Sequence, residues 1–312
     1  MPGYRFAMTA HGGRVDVSIV VVVWDMAREL PRTLATLAAD SQHGDVDYEV
    51  IVVDNGSPVP VDPALLDLVP GGRLIRLDPA PPSPARAANA GIEAATGAVV
   101  GVMIDGARMV TPGLVAGAAD ALRLGPDVVA ATLAFHLGAE SQMVAAAKGY
   151  DQAVEDALLE TVDWRGDGYE LFSISTFAGS SARGWFGPMG ESNALFMTAT
   201  RWADLGGFDE VFDRPGGGLV NHDLFRRACE WPGAELVVLL GEATFHQFHG
   251  GAATAGTARR DELWAEYAQR RGREYAPPRL APRYLGSVPA AAVPHLRASL
   301  DWRERHPDPH AG

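Results

Sequence analysis

The chain has 312 residues, 47% hydrophobic and 21% charged, an ordinary globular composition long enough for one large α/β domain or two small ones. A formal net charge of -13 argues against a broad nucleic-acid surface, because duplex binding relies on Lys and Arg neutralising phosphates; an anionic ligand would need a local cradle. The single cysteine, Cys229, excludes an intramolecular disulfide and offers no thiolate metal set.

No basic segment followed by an apolar core and a cleavage site stands at the N-terminus. The apolar run at 17–23 is too short to span a bilayer, so a soluble, cytoplasmic protein is expected. Residues 1–14 form a Gly-containing lead with little pattern. The run at 15–24 (VDVSIVVVVW) is β-branched and continuously apolar after Ser18, as in a strand buried on both faces of a mostly parallel sheet. Leu30, Leu34, Leu37 and Ala38 then recur at helical spacing, with Pro31 tolerated near the first turn. Residues 48–53 (YEVIVV) read as a second strand. It runs into Asp54-Asn55-Gly56-Ser57, a turn sequence that must leave the sheet sharply.

A short strand at 73–77, a Pro-rich loop at 79–84 and an Ala-rich helix at 85–96 carrying Arg86 and Asn89 come next. The stretch 98–112 (AVVGVMIDGARMVTP) then sets seven apolar or Gly residues ahead of Asp105, which is expected at the end of a buried central strand. In open α/β sheets the ligand crevice lies outside the carboxyl ends of the strands. Asp105 is placed for chemistry there, or it caps a turn by bonding nearby backbone N–H groups. A helix at 114–124 and a strand at 127–132 continue an alternation that predicts βαβ units, parallel pairing and right-handed crossovers.

Beyond this, 140–160 reads as one long helix. Residues 161–188 mix polar, aromatic and Gly residues without a period, the pattern of a binding loop or lid. Trp164, Tyr169, Phe172, Phe177, Trp185 and Phe186 offer flat faces there, either for stacking on a ligand or for packing. Further elements are expected at 189–198 (strand), 222–230 (helix), 235–240 (strand) and 258–271 (amphipathic helix), with FHQFHGG at 245–251 preceding a loop. Seven prolines from Pro277 onward argue against regular structure in most of the tail, although 296–305 can be helical.

Taken in order, VSIVVVVWDMARELPRTLATL, YEVIVVDNGS, ARAANAGIEAATGAVVGVMIDGARMVTPG, LGGFDE and NHDLFRRA resemble the motifs of family-two nucleotide-sugar glycosyltransferases of the GT-A fold, over most of 17–251. The resemblance implies an α/β, Rossmann-like GT-A domain at 1–275, with a nucleotide-sugar-binding half at 15–132, an acceptor-binding half at 133–275, and a Pro-rich tail at 276–312. It implies inverting transfer of a sugar from a nucleotide-diphosphate sugar to an unidentified acceptor (small molecule, lipid-linked or polysaccharide). No nucleic acid and no transmembrane segment enter this reading, and a homodimer is compatible with it. The alternative is an inactive GT-A domain that binds a nucleotide sugar or a partner.

In such enzymes the Asp matching Asp54 contacts the base or ribose, and Asn55, Arg86 and Asn89 are further donor-binding candidates. The family's DxD element matches Asp105-Gly106-Ala107; its carboxylates hold a divalent cation, Mn²⁺ or Mg²⁺, that neutralises the diphosphate leaving group. Ala107 stands where the second Asp is expected, so one ligand is missing. Arg108 or Arg86 could supply fixed positive charge to the phosphates instead, or His246 or His249 could join Asp105 on a metal. For the general base, Asp223 is the only carboxylate in the matching segment 219–224, and Glu191 is a second candidate. A shifted alignment puts Asn221 at the base position, and Asp223 also reads as a first-turn helix residue. Asp209 in LGGFDE more simply fixes a turn.

Overall fold

The structure is a computed structural model that describes residues 5–7, 15–249 and 257–307. After β1 (Arg5–Ala7), the β-branched run becomes β2 (Val17–Val23), with all seven residues buried. Val20 and Val22 enter one core and Val17, Ile19, Val21 and Val23 the other, as the two-residue period of a strand covered on both faces demands. The helix α1 (Leu30–Thr36), with Pro31 in its first turn, leads to β3 (Tyr48–Asp54), and β4 (Arg73–Arg76) follows. Next is α2 (Ala85–Ala94), which lies close on the sheet: a Cβ at Gly91 would stand 2.2 Å from a Val20 methyl, so the absence of a side chain sets the helix–strand distance. The strand β5 (Val99–Met103) ends two residues before Asp105, and β6 (Arg108–Val110) and α3 (Leu114–Leu122) come after.

The strands β4, β3, β2 and β5 pair in parallel, which realises the expected βαβ alternation. The second half joins through an antiparallel seam. There β9 (Leu195–Thr198) lies between β5 and β7 (Val128–Leu137), antiparallel to both. Beyond β7 the sheet is parallel again, through β10 (Glu235–His246) to β11 (Arg283–Gly286), and β6 and β8 (Ser175–Phe177) add short antiparallel pairs on β10 and β7. The result is one mixed α/β sheet in the order β1-β4-β3-β2-β5-β9-β7-β10-β11.

Several expectations need correction. The segment 140–160 is two helices, α4 (Gln142–Ala146) and α5 (Gln152–Leu159). Gly149 between them has φ of 93°, a left-handed conformation that stops a helix, and the Asp151 carboxylate starts the next one by accepting from the Val154 N–H. The strand expected at 235–240 runs on to His246, across an irregularity in its pairing with β7 between Val238 and Ala243. The Pro-rich tail contributes β11 to the sheet edge and the helix α9 (Val293–Arg305). Of the six aromatic side chains of 161–188, Trp164, Phe172 and Trp185 are buried and Tyr169, Phe177 and Phe186 half-buried against the core, as the packing alternative expects; Phe135 meets Phe172 edge-on with centroids 5.1 Å apart. Among the described residues no helix is long and apolar enough to cross a membrane.

The remaining helices, α6 (Ala199–Leu205), α7 (Val220–Cys229) and α8 (Thr257–Arg271), cover the second half of the sheet. The lead at 1–14 apart from β1, Gly250-Gly251 and the last five residues of the tail lie outside the described residues.

Candidate active site

Two strand registers assemble the centre of the site. The antiparallel pairing of β6 with β10 sets Arg108 opposite His246, and the parallel pairing of β10 with β7 sets His246 beside His136. Asp105, in the turn between β5 and β6, reaches the same place from the central strand. Its Oδ1 accepts from the Ala107 N–H at 3.1 Å, so the turn-capping role is real. Its Oδ2 lies 2.8 Å from His246 Nε2 and 3.3 Å from Arg108 Nη2, and Oδ1 lies 3.8 Å from His249 Nε2. The two Nε2 atoms are 3.2 Å apart.

Burial alone would raise the Asp105 carboxyl, but His246, Arg108 and His249 outweigh it and hold the group well below the usual carboxylate range. Burial pushes the His246 ring down from its ordinary value, against the pull of Asp105. The same cause, with His246 and Arg108 adding to it, brings His136 to about 3 and keeps it neutral. Arg108 is buried, and its Nε and Nη1 have no hydrogen-bond partner among the described residues.

These residues fit a divalent cation. Asp105, His246 and His249 offer a carboxylate oxygen and two imidazole nitrogens within 4.8 Å of one another. A cation with bonds of about 2.1 Å sets neighbouring ligand atoms roughly 3 Å apart, close to the separations found. The loop carrying His249 is fastened from both sides. Gln247 Nε2 donates to Glu29 O at 3.1 Å, while the Phe248 N–H donates to Glu155 at 2.7 Å and its carbonyl accepts from Arg28 at 3.2 Å. Ala107 is fully buried and its carbonyl accepts from the Gln247 N–H, so it is packed against that loop.

The other donor-side candidates differ from Asp105. Asp54 ends β3 at the same sheet edge, one strand beyond β2, and is fully buried with its oxygens taken by the N–H groups of Ser57 (2.8 Å) and Val61 (3.3 Å) and by Arg76. Asn55 donates to Pro81 O at 3.0 Å, and its Oδ1 is buried without a hydrogen-bond partner among the described residues. Asn89 ties α2 to the LGGFDE turn, exchanging hydrogen bonds with the backbone of Phe208. Arg86 is half-buried at the start of α2. At the end of β2, Asp25 holds φ of 54° and donates its N–H to Ser57 Oγ, so the turn after β2 is locked to the turn after β3.

On the acceptor side, α7 divides its residues by angle. Residues two apart on a helix point roughly 200° apart, so Asn221 and Asp223 face opposite ways. Asn221 Nδ2 donates to Glu191 Oε2 at 2.8 Å, and His222 Nδ1 lies 3.3 Å from the same oxygen. Asp223 instead turns into the protein, where Arg227 Nε (2.8 Å) and Arg271 Nη2 (2.7 Å) hold it; Arg271 also grips Asp209. Burial would raise Glu191, yet His222, Asn221 and Arg108 together bring it below its ordinary value. Arg108 thus acts on both Asp105 and Glu191, which joins the two clusters electrostatically. His222 also packs edge-on against Trp264 and Tyr275.

His136, His222, Gln142 and Glu155 were not legible as site residues. Each reaches the site through strand register or through a helix that crosses from another part of the chain.

With this geometry in place, residues 18–161 match the model of glycosyl transferase family 2. That segment, less than half of the chain, is similar to the family and supplies strands β2 to β7 of the mixed α/β sheet. The match takes in Asp54, Asp105 and Arg108 and ends before Glu191, Asp223, His246 and His249. No curated protein matches the chain. Similar solved structures include Staphylococcus aureus TarS (TM-score 0.47, 14% identity, covering 82% of this chain and 43% of that one). Two others are S. aureus TarS 1-349 in complex with UDP-GlcNAc (0.49, 13%, covering 93% and 72%) and GalNAc-T7 with UDP, GalNAc and Mn²⁺ (0.49, 12%, covering 83% and 48%). The chain spans less than half the length of the first and the last of these.

Proposed function

We propose that the protein is an inverting glycosyltransferase that moves a sugar from a nucleotide-diphosphate sugar to an acceptor hydroxyl. The observation that carries the reading is the meeting of Asp105 and Arg108, which lie in the segment similar to family 2, with His246 and His249 at the carboxyl edge of the sheet. Residues 15–132 form the donor half and 133–275 the acceptor half, and the histidines of the second half complete a cation site begun by Asp105 in the first.

Asp105, His246 and His249 would hold a divalent cation, which supplies Lewis-acid neutralisation of diphosphate charge when bound. Arg108 has two free guanidinium nitrogens for phosphate oxygens, and guanidinium matches phosphate bidentately. Glu191 is the base in this reading, in preference to Asp223. It takes the acceptor hydroxyl proton as that oxygen bonds to the anomeric carbon, while the bond from the anomeric carbon to the diphosphate oxygen breaks with its electron pair on the leaving group. Attack opposite the leaving group inverts the anomeric centre. Asn221 and His222 aim the carboxylate, and its position below the ordinary range keeps it ionised at neutral pH. Asp223 has no free face for this work, since two guanidinium groups occupy it.

That same occupation of Asp223, with Asn221 beside it, favours the second reading, a GT-A domain that binds a nucleotide sugar without turning it over. Incubation with UDP-sugars and GDP-sugars, with and without Mn²⁺, separates the two by release of the nucleoside diphosphate. Cation-stimulated release is expected. Tight donor binding with no release from any donor would sink the enzyme reading in favour of the binding module.

A further inference from the structure

The first residue of α4, Gln142, is buried and makes three hydrogen bonds, all to the histidines of the site. Its backbone N–H donates to His136 Nδ1 at 3.0 Å, its side-chain Nε2 donates to the His246 carbonyl at 2.8 Å, and its Oε1 meets His246 Nδ1. The second of these bonds fixes the third. A carbonyl oxygen only accepts, so the amide nitrogen must face it and the amide oxygen must face the ring. An amide oxygen also only accepts, so the hydrogen between it and the ring belongs to Nδ1. Nε2 is therefore the ring nitrogen open to a cation, in place of its hydrogen bond to Asp105 at 2.8 Å, and it lies 3.2 Å from His249 Nε2.

The backbone of the same residue imposes the opposite state on His136. Its Nδ1 accepts from the Gln142 N–H, so the neutral ring carries its hydrogen on Nε2. One residue thus sets two neighbouring imidazoles, with ring centroids 5.7 Å apart, in different tautomers: His246 as a nitrogen ligand facing Asp105 and His249, His136 as an N–H donor.

We infer that Gln142 is the positioning residue that, by holding the hydrogen of His246 on Nδ1, fixes Nε2 as the ring nitrogen that would coordinate a cation together with Asp105 and His249. The inference rests on the cation-assisted reading of the site but concerns a residue that lies inside the matched segment 18–161 and outside the motifs quoted from the sequence. Groups that fix the second nitrogen of a ligating His typically change metal affinity 10–100-fold when removed.

The test has two arms. In the metal-free wild type, ¹⁵N chemical shifts should show His246 with a protonated Nδ1; an unprotonated Nδ1 would overturn the inference, whether or not any cation binds. In the second arm Mn²⁺ is titrated into wild type, Gln142→Met and Gln142→Glu. Gln142→Met keeps the length without the amide and should lose roughly 10–100-fold in Mn²⁺ affinity with a mixed His246 tautomer. Gln142→Glu keeps an acceptor at Nδ1 and should retain the wild-type tautomer and most of the affinity. Equal Mn²⁺ affinity and an unchanged tautomer in Gln142→Met would contradict the assignment. A wild type that binds no Mn²⁺ but shows the expected shifts would refute the cation reading and leave the role of Gln142 in setting the ring standing.

Discussion

The ends of β3 and β5 look alike in sequence and do opposite things in space. Each is an apolar run delivering an Asp to the carboxyl edge of the same parallel sheet. Asp54 is met by two backbone N–H groups and a guanidinium, so its charge is satisfied within the protein. Asp105 is met by two imidazoles whose nitrogens crowd each other and by an arginine with two nitrogens to spare. The same contrast recurs in the second half, where Asp223 is saturated by Arg227 and Arg271 while Glu191 meets an amide, an imidazole and the Ser180 side chain. A carboxylate whose partners all come from the fold is structural; one whose partners are themselves incomplete is poised for a ligand.

The largest expected effect follows from the acceptor-side pair. Glu191→Gln should lower kcat by about 10²–10⁴-fold with donor KM little changed, as removal of a general base does. Asp223→Asn should behave in the other way. It leaves two guanidinium groups without their shared partner, and breaking a buried pair costs about 3–5 kcal/mol, less here because both arginines are partly exposed. Thermal unfolding should therefore report Asp223→Asn and steady-state kinetics Glu191→Gln; a collapse of kcat in a fully stable Asp223→Asn would return the base to Asp223.

Arg108→Gln sharpens the contrast at the donor end. Loss of a preorganised charge facing the leaving group should reduce transfer by about 10²–10³-fold, whereas Arg86→Gln, on the neighbouring helix, should cost far less. Equal losses in the two variants would show that Arg108 has no privileged place.

The smallest effect concerns the strap that holds the His249 loop. Burial pushes Glu155 up to about 7, against the pull of the Phe248 N–H and Arg28. An acid raised on folding holds its proton in the folded state at pH values where the unfolded chain has released it, so its contribution to stability falls as pH rises from about 4.5 to about 7. Glu155→Gln removes that loss. The variant's melting temperature relative to wild type should be higher at pH 8 than at pH 5, and a difference independent of pH would remove Glu155 as the cause.

How much of this was legible depends on whether one strand or several had to be known. Asp54 and Asp105 could be placed because an apolar run and a turn sequence are local signals, and the βαβ alternation of the first third followed from the same pattern. The break at Gly149 was hidden by continuous helix-compatible composition on both sides. His136 and Gln142 carry no local signal, since His136 enters through the register of β7 with β10 and Gln142 through a helix after β7. Glu191 and Asp223 were both visible as carboxylates. Only the angular positions of Asn221 and Asp223 on α7 show which of them is held by Arg227 and Arg271 and which meets Asn221.

The central claim is that Asp105, His246 and His249 form a cation site for sugar transfer. A titration of Mn²⁺ into the purified chain, followed by the paramagnetic relaxation of water protons, tests it most directly. One ion per chain should bind, Mg²⁺ should compete poorly because two of three ligands are imidazoles, and Asp105→Asn should abolish the binding. Mn²⁺ bound with the same stoichiometry and affinity by Asp105→Asn would contradict the account.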